Sequence, residues 1–344
     1  MEPHFILTLF QHGYKVRTST LYHLLKGKRT SSVLVYGFLY ENLRFFQLCP
    51  ELSEQEFNRQ IHTLNEAQLL LTDLTGEVQI TTQGKRLLSE SDQSIHWLDN
   101  YRFGKTDEEI WRFLQFLVQV TSHLSYGDKE YIPLEQSPFY QAFLKRRIAS
   151  VSKKELIQTM KAEWHFLLSR LSKSEADYFA QQFSGYQQIG KIAAQILQKE
   201  STPFEQLLIK KDWLHHLLYE IENMPEETFL KQSIQPFITK NDNQSMNQTK
   251  SYLHQETSIE TIAQQRGMKK STIQDHLLEL ALTEEIPFEH YISKETYRFL
   301  DQLSSPCPQW IYRSLKQENE QLDYFEYRLY QIEKLKKERA DKLP

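Results

Sequence analysis

Glycine, proline and cysteine are all scarce in this sequence, at 10, 11 and 2 of 344 residues. Few glycines weigh against the Gly-rich phosphate loops of nucleotide-binding α/β folds, and abundant Leu, Gln, Glu and Lys favour helices. Two cysteines, Cys49 and Cys307, exclude a disulfide framework and any zinc site built from cysteine pairs. No apolar run approaches the roughly 20 residues of a membrane-spanning helix. The short apolar stretch at 5–10 is too brief and too poorly flanked for a secretory signal. A reducing, cytoplasmic location is the default expectation.

The motifs of catalysis are missing as well. The nearest text to an ATP-binding loop is DNYRFGKT, where Asp99 stands at the required glycine and no strand precedes it. His215 and His216 are adjacent, which points them to different sides of a helix, and no H-E-x-x-H occurs. There is no G-x-S-x-G elbow, and Cys49 before Pro50 and Cys307 between two prolines have no recognisable catalytic setting. Pairs such as Glu108-Glu109 and Glu226-Glu227 read as ordinary solvated acids. We therefore expect no enzyme, no metal, no cofactor, no small-molecule substrate and no membrane partner.

Charge is more informative in its distribution than in its sum of −4. Between Pro3 and Tyr40 there is no Asp or Glu, yet Lys15, Arg17, Lys26, Lys28 and Arg29 all fall there. This stretch reads either as a phosphate-binding patch or as a solvated face. A second basic run, Lys334 to Lys342, reads as a frayed helix end, since cations suit a helix C-terminus.

The order of elements in residues 1–92 predicts a winged-helix-like domain. Helical periodicity covers 5–11, 18–25 and 31–46. Ser53 followed by Glu56 is a capping box that opens a helix to Gln68, with an apolar stripe of Phe57, Ile61, Leu64 and Ala67. Strands at 69–72 and 78–81, joined by a turn at Thr75-Gly76, complete a two-stranded wing. On DNA the helix from Ser53 would enter the major groove, with Asn58 and Arg59 as candidate contacts beside Gln55, Gln60 and His62. Lys26, Lys28 and Arg29 are candidate phosphate contacts of the same domain. The alternative is a fold used for protein contacts, with these residues as a wet face.

Residues 93–238 read as a helical middle region. Stripes such as Ile110, Phe113, Leu114, Leu117 and Trp164, Leu167, Leu168, Leu171 have the spacing of buried helix faces. The polar stretch 239–251, TKNDNQSMNQTKS, reads as a flexible linker. The last part, 252–344, carries a helix-turn-helix in TSIETIAQQRGMKKSTIQDHLLELAL. Ala263 is small where two helices cross, Gly267 tolerates positive φ in the turn, and Ile273 anchors the second helix. The helices are expected at 258–265 and 271–282, with Ser271 as the second N-cap. The fold class is thus mostly α.

This C-terminal segment is similar to the helix-turn-helix domain at the C-termini of some RecQ-type helicases. The shared pattern falls on Ser258, Ile259, Glu260, Ile262, Ala263, Arg266, Gly267, Ser271, Thr272, Ile273, His276 and Leu277, and the tail LDYFEYRL at 322–329 resembles that domain's closing helix. Together with GKRTSSVL at 27–34, the chain resembles the YpbB family of Firmicutes, typically encoded beside a RecQ-type helicase. The resemblance implies a non-catalytic DNA-binding accessory protein that acts with a RecQ-type helicase in DNA repair or recombination. Candidate DNA contacts are Arg266, Lys269 and Lys270 at the turn, and Ser271, Thr272 and Gln274 at the start of the second helix.

Electrostatics pull the other way. Residues 251–304 hold five basic side chains against nine acidic ones, and Asp275 and Glu279 would face phosphate. Two further readings stay open. One is a sequence-specific transcription regulator that depends on Gln274 or Arg59. The other is an adaptor that docks on the helicase without touching DNA, in which Asp275 and Glu279 matter more than Lys269 and Lys270. His276 reads as a packing histidine.

Overall fold

A computed structural model describes residues 2–90, 95–149, 151–197, 201–240, 244–253 and 257–341. The chain divides into two units, the first made of 1–92 with 242–344 and the second of 93–241. The protein is mostly α, with one small sheet.

The first unit begins with α1 (Pro3–Thr8), β1 (Val16–Arg17), α2 (Thr18–Lys26), α3 (Ser31–Leu39), α4 (Glu54–Glu66), β2 (Leu70–Thr72), β3 (Glu77–Ile80) and α5 (Thr82–Ser89). The strands pair antiparallel in the order β1-β3-β2, with Val16 opposite Val78 and Leu70 opposite Ile80. This is the helix–strand–helices–ribbon arrangement of a winged helix. Ser53 caps α4 by accepting the Glu56 N–H at 3.1 Å. Only half of the expected box forms, because the Glu56 carboxylate turns to Gln60 and Arg59. Phe57, Ile61 and Leu64 are buried, while Ala67 is exposed beyond the helix end. The wing turns at Asp73, whose carboxylate accepts the N–H groups of Thr75 and Glu77 at 2.9 and 3.1 Å.

The helix expected over 31–46 stops at Leu39. Glu41 adopts a left-handed φ of 59°, and buried Asn42 donates from Nδ2 to the Leu9 carbonyl at 2.8 Å. That bond fixes the break that periodicity alone does not show.

The second unit holds α6 (Asp107–Tyr126), α7 (Pro138–Ala149), α8 (Lys153–Arg170), α9 (Lys173–Ala180), α10 (Ala193–Ile196), α11 (Pro203–Glu222) and α12 (Phe229–Ile238). Its core is built from the stripes read in the sequence, with Ile110, Phe113, Leu114 and Leu117 of α6 packed among Trp164, Leu217, Leu230 and Phe237. Reciprocal caps open α9 (Ser172 with Glu175) and α11 (Thr202 with Glu205). In the loop-like text at 99–106, Lys105 donates to the Lys240 carbonyl at 2.7 Å.

A buried polar cluster ties α6 to α11. Asp107 Oδ2 lies 2.6 Å from Lys211 Nζ and 3.0 Å from His215 Nε2, and His215 Nδ1 accepts the Asp99 N–H at 2.9 Å. His216 turns the other way, 2.7 Å from Glu175. Among the described residues no group of three or more His, Cys, Asp or Glu is placed to hold a metal ion. Nor is any described helix long and apolar enough to cross a membrane.

The first unit resumes with α13 (Gln244–Leu253), α14 (Ile259–Arg266), α15 (Lys270–Thr283), α16 (Lys294–Leu300), α17 (Tyr312–Glu318) and α18 (Tyr324–Ala340). Two boundaries differ from the sequence reading. Within the linker expected at 239–251, residues 241–243 lie outside the described residues, but α13 is a helix that packs on α15 and buries Met246 and Thr249. Those two residues lie three apart on one helix face, and a polar majority hides so sparse a stripe. The N- and C-terminal segments, expected as separate domains, share one unit in which α3 packs against α15 and α18.

Asp107→Ala would leave Lys211 and His215 as uncompensated buried groups. It is expected to destabilise the second unit by about 3–5 kcal/mol, read as an earlier unfolding transition of the full chain in urea. An unchanged midpoint would show that the cluster contributes nothing.

Candidate nucleic-acid interface

Two helix–turn–helix corners face each other in the first unit. In each, a glycine in the left-handed region closes the first helix, Gly27 at φ 85° and Gly267 at φ 61°. In each, the next N–H reaches back to the last turn: Lys28 to the His23 carbonyl and Met268 to the Ala263 carbonyl, both at 2.9 Å. A buried branched residue then anchors the second helix, Val33 in α3 and Ile273 in α15. The sequences GKRTSSV and GMKKSTI are alike because both build this turn. Ala263, Gly267 and Ile273 occupy the roles their spacing predicts, and Ser258 caps α14 by accepting the Thr261 N–H.

The second helix of the C-terminal corner is covered. From Ile273 onward α15 buries His276, Leu277, Leu278, Glu279, Leu280, Ala281 and Leu282 among α3, α13, α14 and α18. Its acidic residues are bonded to the other corner. Arg29 Nε donates to Glu279 Oε1 at 2.7 Å, with Nη2 on the same oxygen, and Ser31 Oγ donates to Asp275 Oδ1 at 2.6 Å. Arg339 of α18 adds a bond to the Phe38 carbonyl at 2.9 Å and lies 3.6 Å from Glu41. The basic residues Lys334, Lys336, Lys337 and Arg339 are therefore part of a docked helix, not a frayed end, and Lys342 lies outside the described residues.

Of the C-terminal candidates, Arg266 is half-buried and bonded to α13. It donates to Thr249, to Ser245 at 3.1 Å and to Gln248 at 2.9 Å, so that it holds α13. Lys269, not Ser271, occupies the N-cap of α15, and both side chains are exposed. Lys270 is exposed but paired with Glu260 at 2.6 Å. Thr272 and Gln274 are half-buried. Gln274 and Lys270 border a cavity of about 530 Å³ that also presents Glu260, Asp323 and Glu326, a setting that repels phosphate.

The N-terminal candidates fall in two places. Asn58 and Arg59 lie on the exposed face of α4 with Gln55 and His62, and Arg59 is 2.5 Å from Glu56. The wing tip carries a fully exposed Leu74. Lys26 is bonded to the Pro50 carbonyl, Arg29 to Glu279, and Lys28 is exposed at the α2–α3 turn. Lys15 and Arg17 pair with Asp73 and Glu77 of the wing. Both cysteines are inert at neutral pH, since burial pushes the thiols of Cys49 and Cys307 up to about 12. Arg328 was not singled out by sequence. It lies on α18 within the tail at 322–329 and lines the same cavity as Lys28 and Thr30 of the α2–α3 turn.

The geometry defines a helix-turn-helix protein, and residues 245–331 match a family model described as a helix-turn-helix domain. That match starts inside α13, in agreement with its packing on α15. Along most of its length the chain is similar to the protein YpbB of Bacillus subtilis (strain 168), 23% identical over 296 residues that cover 80% of this chain and 81% of that protein. No solved structure matches the chain.

Two measurements test the packing of the corners. A double-mutant cycle of Arg29→Ala and Glu279→Ala is expected to give a coupling energy of about 0.5–3 kcal/mol, whereas additivity would deny the clamp. Stability should also depend on pH. Burial, and then the Arg266 guanidinium, hold His276 below the ordinary histidine value, and burial takes His12 of the same unit down to about 4. The unfolded chain binds these protons near about pH 6.5, so it binds more protons than the folded state below that pH. The stabilisation is full above about 6.5 and is lost as pH falls through the folded values. The unfolding midpoint should drop between neutral pH and pH 5, and His276→Asn should make that drop shallower.

Proposed function

We propose that this chain is a non-catalytic, cytoplasmic DNA-binding accessory protein that acts with a RecQ-type helicase in repair or recombination. The observation that carries DNA binding is the helix-turn-helix domain at 245–331 joined in one unit to a winged helix whose α4 is exposed along its outer face. Within that reading α4 and the wing meet DNA. Asn58, Arg59 and Gln55 offer amide and guanidinium groups to base edges. The C-terminal corner contributes phosphate contacts only from Lys269 and the first turn of α15, because the rest of the helix is covered. The helicase partnership rests on the resemblance of residues 258–329 to the domain found in RecQ-type helicases.

One observation favours an adaptor as the second reading. Asp275 and Glu279 already serve as docking groups within the chain, and the cavity beside α15 is acidic.

Fluorescence anisotropy of the full chain on single-stranded, duplex, forked and four-way DNA across a salt series separates the two. The expected result is salt-sensitive binding that prefers forks or junctions, with Asn58→Ala plus Arg59→Ala weakening it by about tenfold or more and Lys269→Ala weakening it less. Absence of binding to every structure at low salt would overturn DNA binding and leave the adaptor.

A further inference from the structure

The acid-free N-terminal stretch poses a question of charge placement. Lys15, Arg17 and Arg29 find carboxylates far along the chain, and Lys26 finds a carbonyl. Among the described residues Lys28 has no carboxylate within ion-pair distance. Instead it borders a cavity of about 400 Å³ lined by the α2–α3 corner and by Pro308, Trp310 and Arg328, which is within the roughly 300–1,000 Å³ of small-ligand sites.

No Asp or Glu lines this cavity. Its polar lining donates: the Lys28 ammonium, the Arg328 guanidinium, the His23 imidazole and the Ser32 hydroxyl. Tyr36 and Trp310 supply aromatic wall. Arg328 is held in place by neutral partners, donating to Tyr324 Oη at 3.1 Å and Gln331 Oε1 at 2.8 Å while it lies over the Tyr324 and Tyr327 rings. Its charge therefore stays uncompensated, and its side-chain entropy is already lost. Glu77, which acts electrostatically on Tyr36, is itself paired with Arg17. The larger cavity beside α15 has the opposite character, with three carboxylates around one lysine.

We propose that this cavity binds a nucleoside 5′-monophosphate group, with Lys28, Arg328 and His23 on the phosphoryl oxygens and the aromatic wall along the nucleoside. Two positive charges and further donors suit the dianion of a phosphomonoester better than the single charge of an internal diester. A cavity of this size holds one nucleotide, with the rest of a strand left outside. The group arrives either as the 5′-phosphorylated end of a DNA strand or as a free nucleotide. Choosing the strand end rests on the DNA-binding reading; the pocket itself does not.

The test uses the full chain and a 3′-fluorescein-labelled short oligothymidylate, with and without a 5′-phosphate. Thymidine 5′-monophosphate and inorganic phosphate serve as unlabelled titrants in calorimetry. The phosphorylated oligonucleotide is expected to bind about tenfold tighter than the 5′-hydroxyl form. Lys28→Glu and Arg328→Gln should each erase that difference, and Lys269→Ala should keep it. Lys28 is exposed on a turn, so its variant tests the pocket without disturbing α18. If the wild-type protein binds DNA but ignores the 5′-phosphate, and neither substitution matters, the pocket is overturned and the DNA-binding reading stands. If no oligonucleotide binds but thymidine 5′-monophosphate does, in a Lys28-dependent way, the pocket stands as a free-nucleotide site and the strand-end assignment falls. Binding of neither overturns the pocket, and the DNA-binding reading is then decided by the duplex, forked and four-way structures.

Discussion

Everything in the first unit depends on how α15 is covered. From Ile273 onward this helix is buried on more than one side, so it has no amphipathic state in which it stands alone in water. Buried Glu279 adds a second demand, because a carboxylate removed from solvent costs several kcal/mol unless it is paired. Arg29 meets that demand from 250 residues away in sequence, and Ser31 adds a hydrogen bond to the exposed Asp275. The C-terminal helix-turn-helix is therefore completed by the N-terminal corner, not tethered to it. The second unit is inserted between the two halves, and closing so long a loop costs only logarithmically more than closing a short one.

This arrangement also explains a basic run without acids. A stretch of cations with no local carboxylate must either face solvent and ligands or find distant partners. Here most of it does the latter: the wing takes Lys15 and Arg17, and α15 takes Arg29. What reads in one dimension as a single patch is in three dimensions a set of clamps. Lys28 alone of the five is turned toward a cavity without acids.

Features set by neighbours in sequence were legible without coordinates. The cap at Ser53, the apolar stripe of α4, the turn at Thr75-Gly76 and the crossing at Ala263, Gly267 and Ile273 all follow from rules that act within a few residues. What escaped reading was decided at long range. Two-residue β1 is too short for alternation to register and exists because β3 offers a partner. Arg266 sits where a phosphate contact belongs in a helix-turn-helix, yet α13 claims its guanidinium, and a polar stretch that looks like linker becomes a helix in the process. Arg328 acquires a role only when α18 folds back on α3. The site suffered more than the fold because charged side chains are the ones whose partners lie farthest away in sequence.

A helix that reads a groove must keep about half its circumference in solvent while the other half is packed. Of the two candidates, α4 meets that condition along its length and α15 only in its first turn. Exposure is not affinity, however. Glu54, Glu56 and Glu66 on or beside the outer face of α4 oppose a single arginine that is already paired, so this face contributes little phosphate attraction. Its amides at Gln55 and Asn58 can discriminate bases, but something else has to supply charge. Lys28 and Arg328 line a cavity without a carboxylate, and in the proposed reading they supply it there instead of along a backbone-tracking groove. In the proposed reading, weak attraction to duplex combined with a cationic pocket favours strand ends over continuous helix, which is where unwound DNA differs from the bulk of the chromosome.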